Sequence, residues 1–293
     1  MAKPKLLLVD GSSLAFRAFF SILDLNRFKN SNGLHTNALY SFHRMFKSIL
    51  DSEKPTHVLV AWDAGKTTFR TEMYADYKGG RSKTPGEFIE QMPYFNVLLD
   101  AWGIPHYRLN QYEADDIIGT LAKQGEAAGY EVVVLSGDKD LIQLADNNIT
   151  VKITTKGVTE LVEYTPEVIF EKYGLTPEQI IDMKGLMGDS SDNYPGVTKV
   201  GEKTAVKLLQ EFGSVEGIYE HVDEMKKSKL KENLINDKEL AFLSKKLARI
   251  NVESPLEITL DDTLRKEQDV DALMAFYKEM NFNSFQSDLL TSG

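Results

Sequence analysis

Nine acidic residues are the side chains in this sequence best placed to do chemistry: Asp10, Asp63, Glu113, Asp115, Asp116, Asp138, Asp140, Asp189 and Asp192. Most stand where a hydrophobic run ends or a helix begins. A carboxylate in such a place is unfavourable unless something neutralises it. Scattered in sequence but repeated in context, the nine read as one pole of charge assembled by the fold. A pole of that size implies divalent metal. The chain has no cysteine, which excludes disulfides and thiolate sites, and hard oxygen donors favour Mg2+ or Mn2+. Magnesium keeps several waters and needs few carboxylates, so nine acids imply at least two ions. Two ions about 4 Å apart activate water and stabilise the leaving oxygen in phosphodiester hydrolysis.

Each acid also has an ordinary structural reading. Three acids within 113–116 can cap a helix and meet its dipole, although their mutual repulsion exceeds what capping needs. Asp138 and Asp140 fit a turn followed by a cap. Asp189 and Asp192 fit Asx-turns. Asp10 and Asp63 fit strand-to-helix turns. Nine independent explanations are a poorer account than one shared site. None of the five histidines falls in these motifs, and none is assigned a catalytic role.

The net charge of -10 argues at first against a nucleic-acid partner. With the nine carboxylates set aside as metal-neutralised, 35 acids remain against 34 bases. The bases are also clustered. Lys66, Arg70, Lys78, Arg81 and Lys83 face only Glu72 and Asp76 in that stretch, and four of the six residues 226–231 are lysine. Local nucleic-acid contacts are therefore open to this chain.

The elements that must position these groups follow from the apolar pattern. Residues 5–9, 57–62 and 130–135 read as buried strands, with Asp10, Asp63 and Asp138 just beyond them. Helices are predicted at 14–23, 37–53, 85–102 and 113–128. Strands alternating with helices predict an α/β fold with a mostly parallel central sheet flanked by helices. In such sheets, sites form beyond the carboxyl ends of the strands. From about residue 165 the pattern becomes helical, at 178–187, 202–212, 237–250 and 270–280, with one further strand expected near 256–260. Residues 70–84 read as a mobile functional loop. The expected division is an α/β core over 1–175 and a helical region over 176–293. No apolar run is long enough to span a bilayer, residues 1–13 lack the apolar core of a secretory signal, and a cytoplasmic, monomeric protein is expected.

The segments LLLVDGSSLAFRAFF, VAWDAGKTTFR, YKGGR, YEADDIIGTLA, VVLSGDKDLIQL, KGLMGDSSDNYPGV and GEKTAVKLL resemble the 5′ nuclease family. The resemblance is to the branch formed by the N-terminal 5′→3′ exonuclease domain of bacterial DNA polymerase I, with flap endonucleases as more distant relatives. It covers nearly the whole chain in family order, and all nine acids fall on the family's metal positions. It implies a structure-specific nuclease acting on branched or nicked DNA with a free 5′ end, RNA primer ends included, in primer removal and repair. It also implies a nucleoid-associated bacterial location and a covalent link to polymerase regions in a longer native chain. Lys78 and Arg81 match family residues that orient the scissile phosphate. Tyr77 is a candidate for stacking on a displaced base, and Arg17, Arg70 and Lys184 are candidate phosphate contacts. Residues 70–102 are expected to form a helical arch that admits a single strand but not a closed duplex.

The segment around GVTKVGEKTAVKLL resembles a helix–hairpin–helix element that holds duplex phosphates at a helix N-terminus. Gly201, Lys203 and Thr204 are its expected contacts, with K+ as a further ligand. Lys199 stands where the family has glycine, which adds a candidate phosphate contact and puts a tight glycine turn in question. Two alternatives compete with a nuclease. One is a non-catalytic DNA-structure binding module. The other is a phosphatase using Asp10 as nucleophile, which would want an aspartate where Ser12 stands.

Overall fold

A computed structural model of the protein describes residues 2–155 and 160–292. Strand β1 (Lys5–Asp10) is the centre of a six-stranded sheet. It pairs in parallel with β2 (His57–Trp62) on one side and β4 (Glu131–Ser136) on the other. The sheet continues outward to β3 (His106–Arg108) beyond β2, and to β5 (Ile149–Thr154) and β6 (Leu161–Tyr164) beyond β4. All pairings are parallel except β5 with β6. The register sets Asp10 beside Ala61, and Val9 beside Leu135. The ends of β1, β2 and β4 therefore arrive at one level, and the acids that follow them share one edge of the sheet.

The strands are apolar on both faces because both faces are covered. Successive side chains point to opposite sides. Leu6, Leu8, Val132 and Val134 face helix α6 (Ala114–Ala127) and much of the later helical chain. Leu7, Val9, Val133 and Leu135 face α1 (Gly11–Ser21), α2 (Asn37–Glu53) and α5 (Met92–Trp102). Between β2 and α5 lie two short helices, α3 (Phe69–Met73) and α4 (Gly86–Ile89). Beyond β6 come α7 (Pro166–Tyr173), α8 (Pro177–Met187), α9 (Glu202–Phe212), α10 (Val215–His221), α11 (Lys229–Asn236) and α12 (Lys238–Ala248). The last helices, α13 (Val270–Met280) and α14 (Asn283–Ser292), return to the face lined by α2 and α5. Residues 176–293 are thus divided between the two faces. His43 fastens this return. Its ring stacks on Trp102 at 4.4 Å and on Phe285 at 4.0 Å, and its Nε2 is 2.6 Å from the Tyr277 hydroxyl.

Several expectations change. The predicted helix 85–102 is two helices, because Pro93 cannot donate to the preceding turn and the chain breaks at Glu90 and Gln91. The buried Gln91 side chain fills the break, accepting from the backbone N–H groups of Ala38 and Leu39 at the start of α2. Helix α5 packs its Phe95, Leu98 and Leu99 on the sheet, so the second half of 70–102 is core and not arch. The strand expected near 256–260 does not form. That segment crosses beside α6 without a ladder, and Leu256, Ile258 and Leu260 rest on the core as single contacts. Strand β5 was missed, although Ile149, Val151 and Ile153 alternate as a half-buried strand should.

Two glycines shape the loop after α8. Gly188 has φ +69 and Gly196 φ +62, a left-handed region where a side chain is strained. A Cβ on Gly196 would lie 2.3 Å from the backbone nitrogen of Gly188. The crossing closes a bridge in which Asp189 and Tyr194 exchange backbone hydrogen bonds of 3.0 and 3.1 Å. Gly196→Ala is expected to destabilise the protein by at least about 2 kcal/mol, read as a lowered midpoint in urea unfolding. A midpoint unchanged from wild type would refute the close crossing.

Candidate metal centre

Asp10 ends β1 and caps α1. Its Oδ1 accepts from the Ser13 N–H at 3.2 Å and its Oδ2 from the Ser136 hydroxyl at 2.7 Å. Ser136 is the last residue of β4, so two neighbouring strand ends are joined through one carboxylate. Burial, then the nearby Asp63 charge, push Asp10 up to about 6. Asp63 follows β2 and accepts from the Ala114 N–H of α6 at 2.8 Å. Its side chain is exposed to the cleft, although protein lies close around that opening. That desolvation raises its carboxyl, while Lys78 and the Ala114 N–H act the other way.

Glu113 caps α6 and accepts from the Arg70 guanidinium at 2.5 Å, the Tyr77 hydroxyl at 3.2 Å and the Lys78 ammonium. Burial alone would raise it, but Lys78 and Arg70 outweigh burial and hold it below the usual range. Asp115 lies one residue into the helix. Burial first, then the charges of Asp10, Asp138 and Glu113, raise its carboxyl well above the ordinary value.

Asp116 has a different fate, and its expected metal role is corrected. It is fully buried. Its oxygens accept from Arg70 Nη1 and Nη2 at 2.8 Å, from the Glu113 N–H at 3.1 Å and from the Asn251 N–H at 2.9 Å. Consecutive helix residues point about 100° apart, so Asp115 turns to the cleft and Asp116 to the interior. Arg70 is corrected with it. Its guanidinium is buried against Glu113 and Asp116 and donates to the carbonyls of Leu247 and Arg249 at the end of α12. No donor faces a phosphate. Tyr77 is buried on Tyr194 and Glu113, which removes it as a platform for a base.

A second group of carboxylates continues the first. Asp138 caps the short 3-10 turn Lys139–Leu144 by accepting from the Asp140 N–H at 2.8 Å. Burial, then Asp138, push Asp140 up to about 7, with Lys184 opposing. Carboxylate oxygens of Asp140, Asp189 and Asp192 all lie within 4.8 Å of one another. Asp189 accepts from Ser191 and from the Asp192 N–H through Oδ1, and from Lys184 Nζ at 2.8 Å through Oδ2. Arg81, half exposed, reaches Asp192 at 2.5 Å. Lys78 and Lys184 are both raised by the acids around them, although burial opposes this.

Eight of the nine acids therefore form one pole with two lobes. Asp10, Asp63, Glu113 and Asp115 make the first, and Asp140, Asp189 and Asp192 the second. Asp138 touches both electrostatically. In the second lobe the all-carboxylate donor set and its convergence within 4.8 Å fit a hard divalent cation. Arg17 stands at the rim and donates to the Thr155 carbonyl at 3.2 Å. Lys199, Gly201 and Lys203 are exposed at the start of α9, and Thr204 is half-buried. Lys199 takes φ +63, so the turn persists there without glycine. Sequence reasoning missed Ser136 and Tyr194. Ser136 had a signal, since it closes a buried strand level with Asp10.

Residues 5–174 match the family described as 5′-3′ exonuclease, N-terminal resolvase-like domain, and residues 175–271 the one described as 5′-3′ exonuclease, C-terminal SAM fold. The chain is 61% identical over 294 residues to DNA polymerase I of Lactococcus lactis subsp. cremoris (strain MG1363), covering 99% of this chain but 34% of that protein. It thus spans about a third of that relative. T5 5′-exonuclease with bound zinc ions superposes with a TM-score of 0.68 at 26% identity over 98% of each chain. The bacteriophage T5 flap endonuclease in a pseudo-enzyme–product complex with DNA and metal ions shares the fold, at TM-score 0.69, 24% identity and 98% of each chain.

Arg70→Ala would strand Asp116 as a buried charge and leave Glu113 to Lys78 and Tyr77, and a loss of about 3–5 kcal/mol is expected. Arg70→Lys should recover only part of it, since lysine lacks the planar fork. Urea unfolding of both variants measures this, and an Arg70→Lys variant as stable as wild type would contradict the assignment. The raised carboxyls also predict a pH dependence. Between the ordinary value of 3.8 and about 6 to 7, the folded metal-free protein holds protons on Asp10 and Asp140 that the unfolded chain has released. Their contribution to stability therefore falls as pH rises through that window. Cations compete with those protons. The rise in Tm on adding Mn2+ should be larger at pH 8 than at pH 5, and a rise independent of pH would count against the pole.

Proposed function

The chain belongs to the 5′-3′ exonuclease family of 5′ nucleases, and from that membership we propose that it hydrolyses DNA phosphodiesters at 5′ ends, nicks and flaps. The observation that carries this reading is the meeting of eight carboxylates with Lys78, Arg81 and Lys184 in one cleft beyond the strand ends. Asp10, Asp63, Glu113 and Asp115 with Asp138 would hold one divalent ion, and Asp140, Asp189 and Asp192 another. Mg2+ or Mn2+ bound there supplies Lewis-acid chemistry for hydrolysis of a phosphodiester. The protein's own groups do the rest. Arg81 has a half-exposed planar guanidinium suited to two oxygens of a phosphate. The backbone N–H of Lys78 donates to the Asp192 carbonyl at 2.6 Å, which fixes the root of the side chain between Glu113 and an incoming phosphate. Both orient the scissile group and offset its developing charge. Lys184 keeps Asp140 and Asp189 apart in charge.

The exposed start of α9 is the duplex contact. Free N–H groups of its first turn, with Lys199 and Lys203, meet phosphates without reading bases, and K+ is the ion that would bridge them. Arg17 extends the positive rim. The substrate is branched or nicked DNA, RNA primer ends included. The much longer relatives named DNA polymerase I support a native chain in which polymerase regions accompany this nuclease.

A 5′-flap duplex labelled on the flap is the test. Wild type with Mg2+ or Mn2+ should release the labelled strand and leave a 3′-hydroxyl on the cut end. Asp115→Ala should slow release by at least about 100-fold, and Arg81→Ala by about 100-fold. A wild-type protein that binds the flap duplex but leaves it intact with both ions would establish a binding module instead.

A further inference from the structure

Tyr194 carries a hydroxyl that packing does not explain. The residue is 4% exposed, and its hydroxyl has no hydrogen-bond partner among the described residues. A buried hydroxyl left unpaired is a net penalty on the folded state. Its ring lies in a small apolar cluster with Tyr77, Ile181 and Leu247, at 19° to the Tyr77 ring and 6.3 Å between centroids. Phenylalanine would satisfy that cluster equally well. The ring is held from water by that packing, and the two-bond bridge to Asp189 keeps its backbone in place.

The surroundings of the hydroxyl are one-sided. Asp140, Asp189, Asp192 and Asp138 all lie close enough to act on it electrostatically. The first three are the carboxylates whose oxygens converge within 4.8 Å. A phenol is a donor among acceptors, yet it bonds to none of them. Asp189 is already occupied by Ser191, Lys184 and the Asp192 N–H, and Asp192 by Arg81. A hydrated cation would bring the missing partner, since hard divalent ions keep part of their water shell and a coordinated water donates to the phenol oxygen.

We propose that Tyr194 is a positioning residue for the second lobe, its hydroxyl oxygen accepting from a hydration water of the cation that Asp140, Asp189 and Asp192 hold. The inference rests on the reading of that lobe as a cation site. Tyr194 then acts through water, as outer groups around metal sites commonly do, and it makes the pocket selective for an ion that retains water. In the metal-free protein its hydroxyl waits unpaired.

The test uses the whole chain without DNA. Mn2+ binding is followed by electron paramagnetic resonance and calorimetry for wild type, Tyr194→Phe and Asp189→Asn. Asp189→Asn marks the binding step that belongs to the second lobe. Tyr194→Phe should weaken that step by about tenfold while leaving the metal-free Tm equal to or above wild type. A purely structural hydroxyl would show the reverse, a lower metal-free Tm with unchanged Mn2+ affinity, and either half of that result overturns the proposal. If wild type shows no step that Asp189→Asn removes, the cation reading of the lobe fails and takes this inference with it. If the step is present and Tyr194→Phe matches wild type, only the inference falls.

Discussion

Repulsion between carboxylates is the constraint around which this protein is organised. Three of them bring oxygens within 4.8 Å of one another. At that separation two full charges repel by roughly 3 kcal/mol even with an effective dielectric near 20. Five more adjoin them. No local segment would adopt such an arrangement alone. It persists because each acid is rooted in an element whose position is set by apolar packing elsewhere. Leu6 to Val9 are wholly buried, and that strand carries Asp10 to the edge whatever charge it meets there.

The fold answers the repulsion in layers. Hydroxyls and backbone N–H groups take the first share, through Ser13, Ser136 and Ala114. Side-chain cations take the second, with Lys78, Lys184 and Arg81 each lying on a carboxylate of the pole. Protons answer the rest: burial first, and the neighbouring carboxylates second, push Asp10 up to about 6 and Asp140 up to about 7.

Arg70 supplies a connection that neither sheet nor helix provides. Four groups meet on its guanidinium, two carboxylates from the start of α6 and two carbonyls from the end of α12. The acidic pole and the later helical chain are thereby fixed to each other at a single buried point. The glycine crossing after α8 does the same for Asp189 and Asp192.

The sequence by itself determined the strands that end in acid, the parallel α/β class and the family. Those properties depend on local pattern: apolar runs of strand length, helical spacing, and motifs in order. It also placed the carboxylates that share the pole, because a strand end in a parallel sheet has one direction to go. Only the tertiary structure decided between neighbours of the same type. Asp115 and Asp116 are identical in kind and adjacent, yet one faces the cleft and the other receives Arg70 from 46 positions away. Arg70 and Tyr77 looked like surface contacts because the basic, polar stretch around them gave no sign of the partners that bury them. Tyr194 carries no signal of its own in the sequence, and only folding sets its hydroxyl near the carboxylates of the second lobe. Local sequence carries periodicity and charge, whereas the choice between burial and exposure for a charged group is made by partners that only folding brings near.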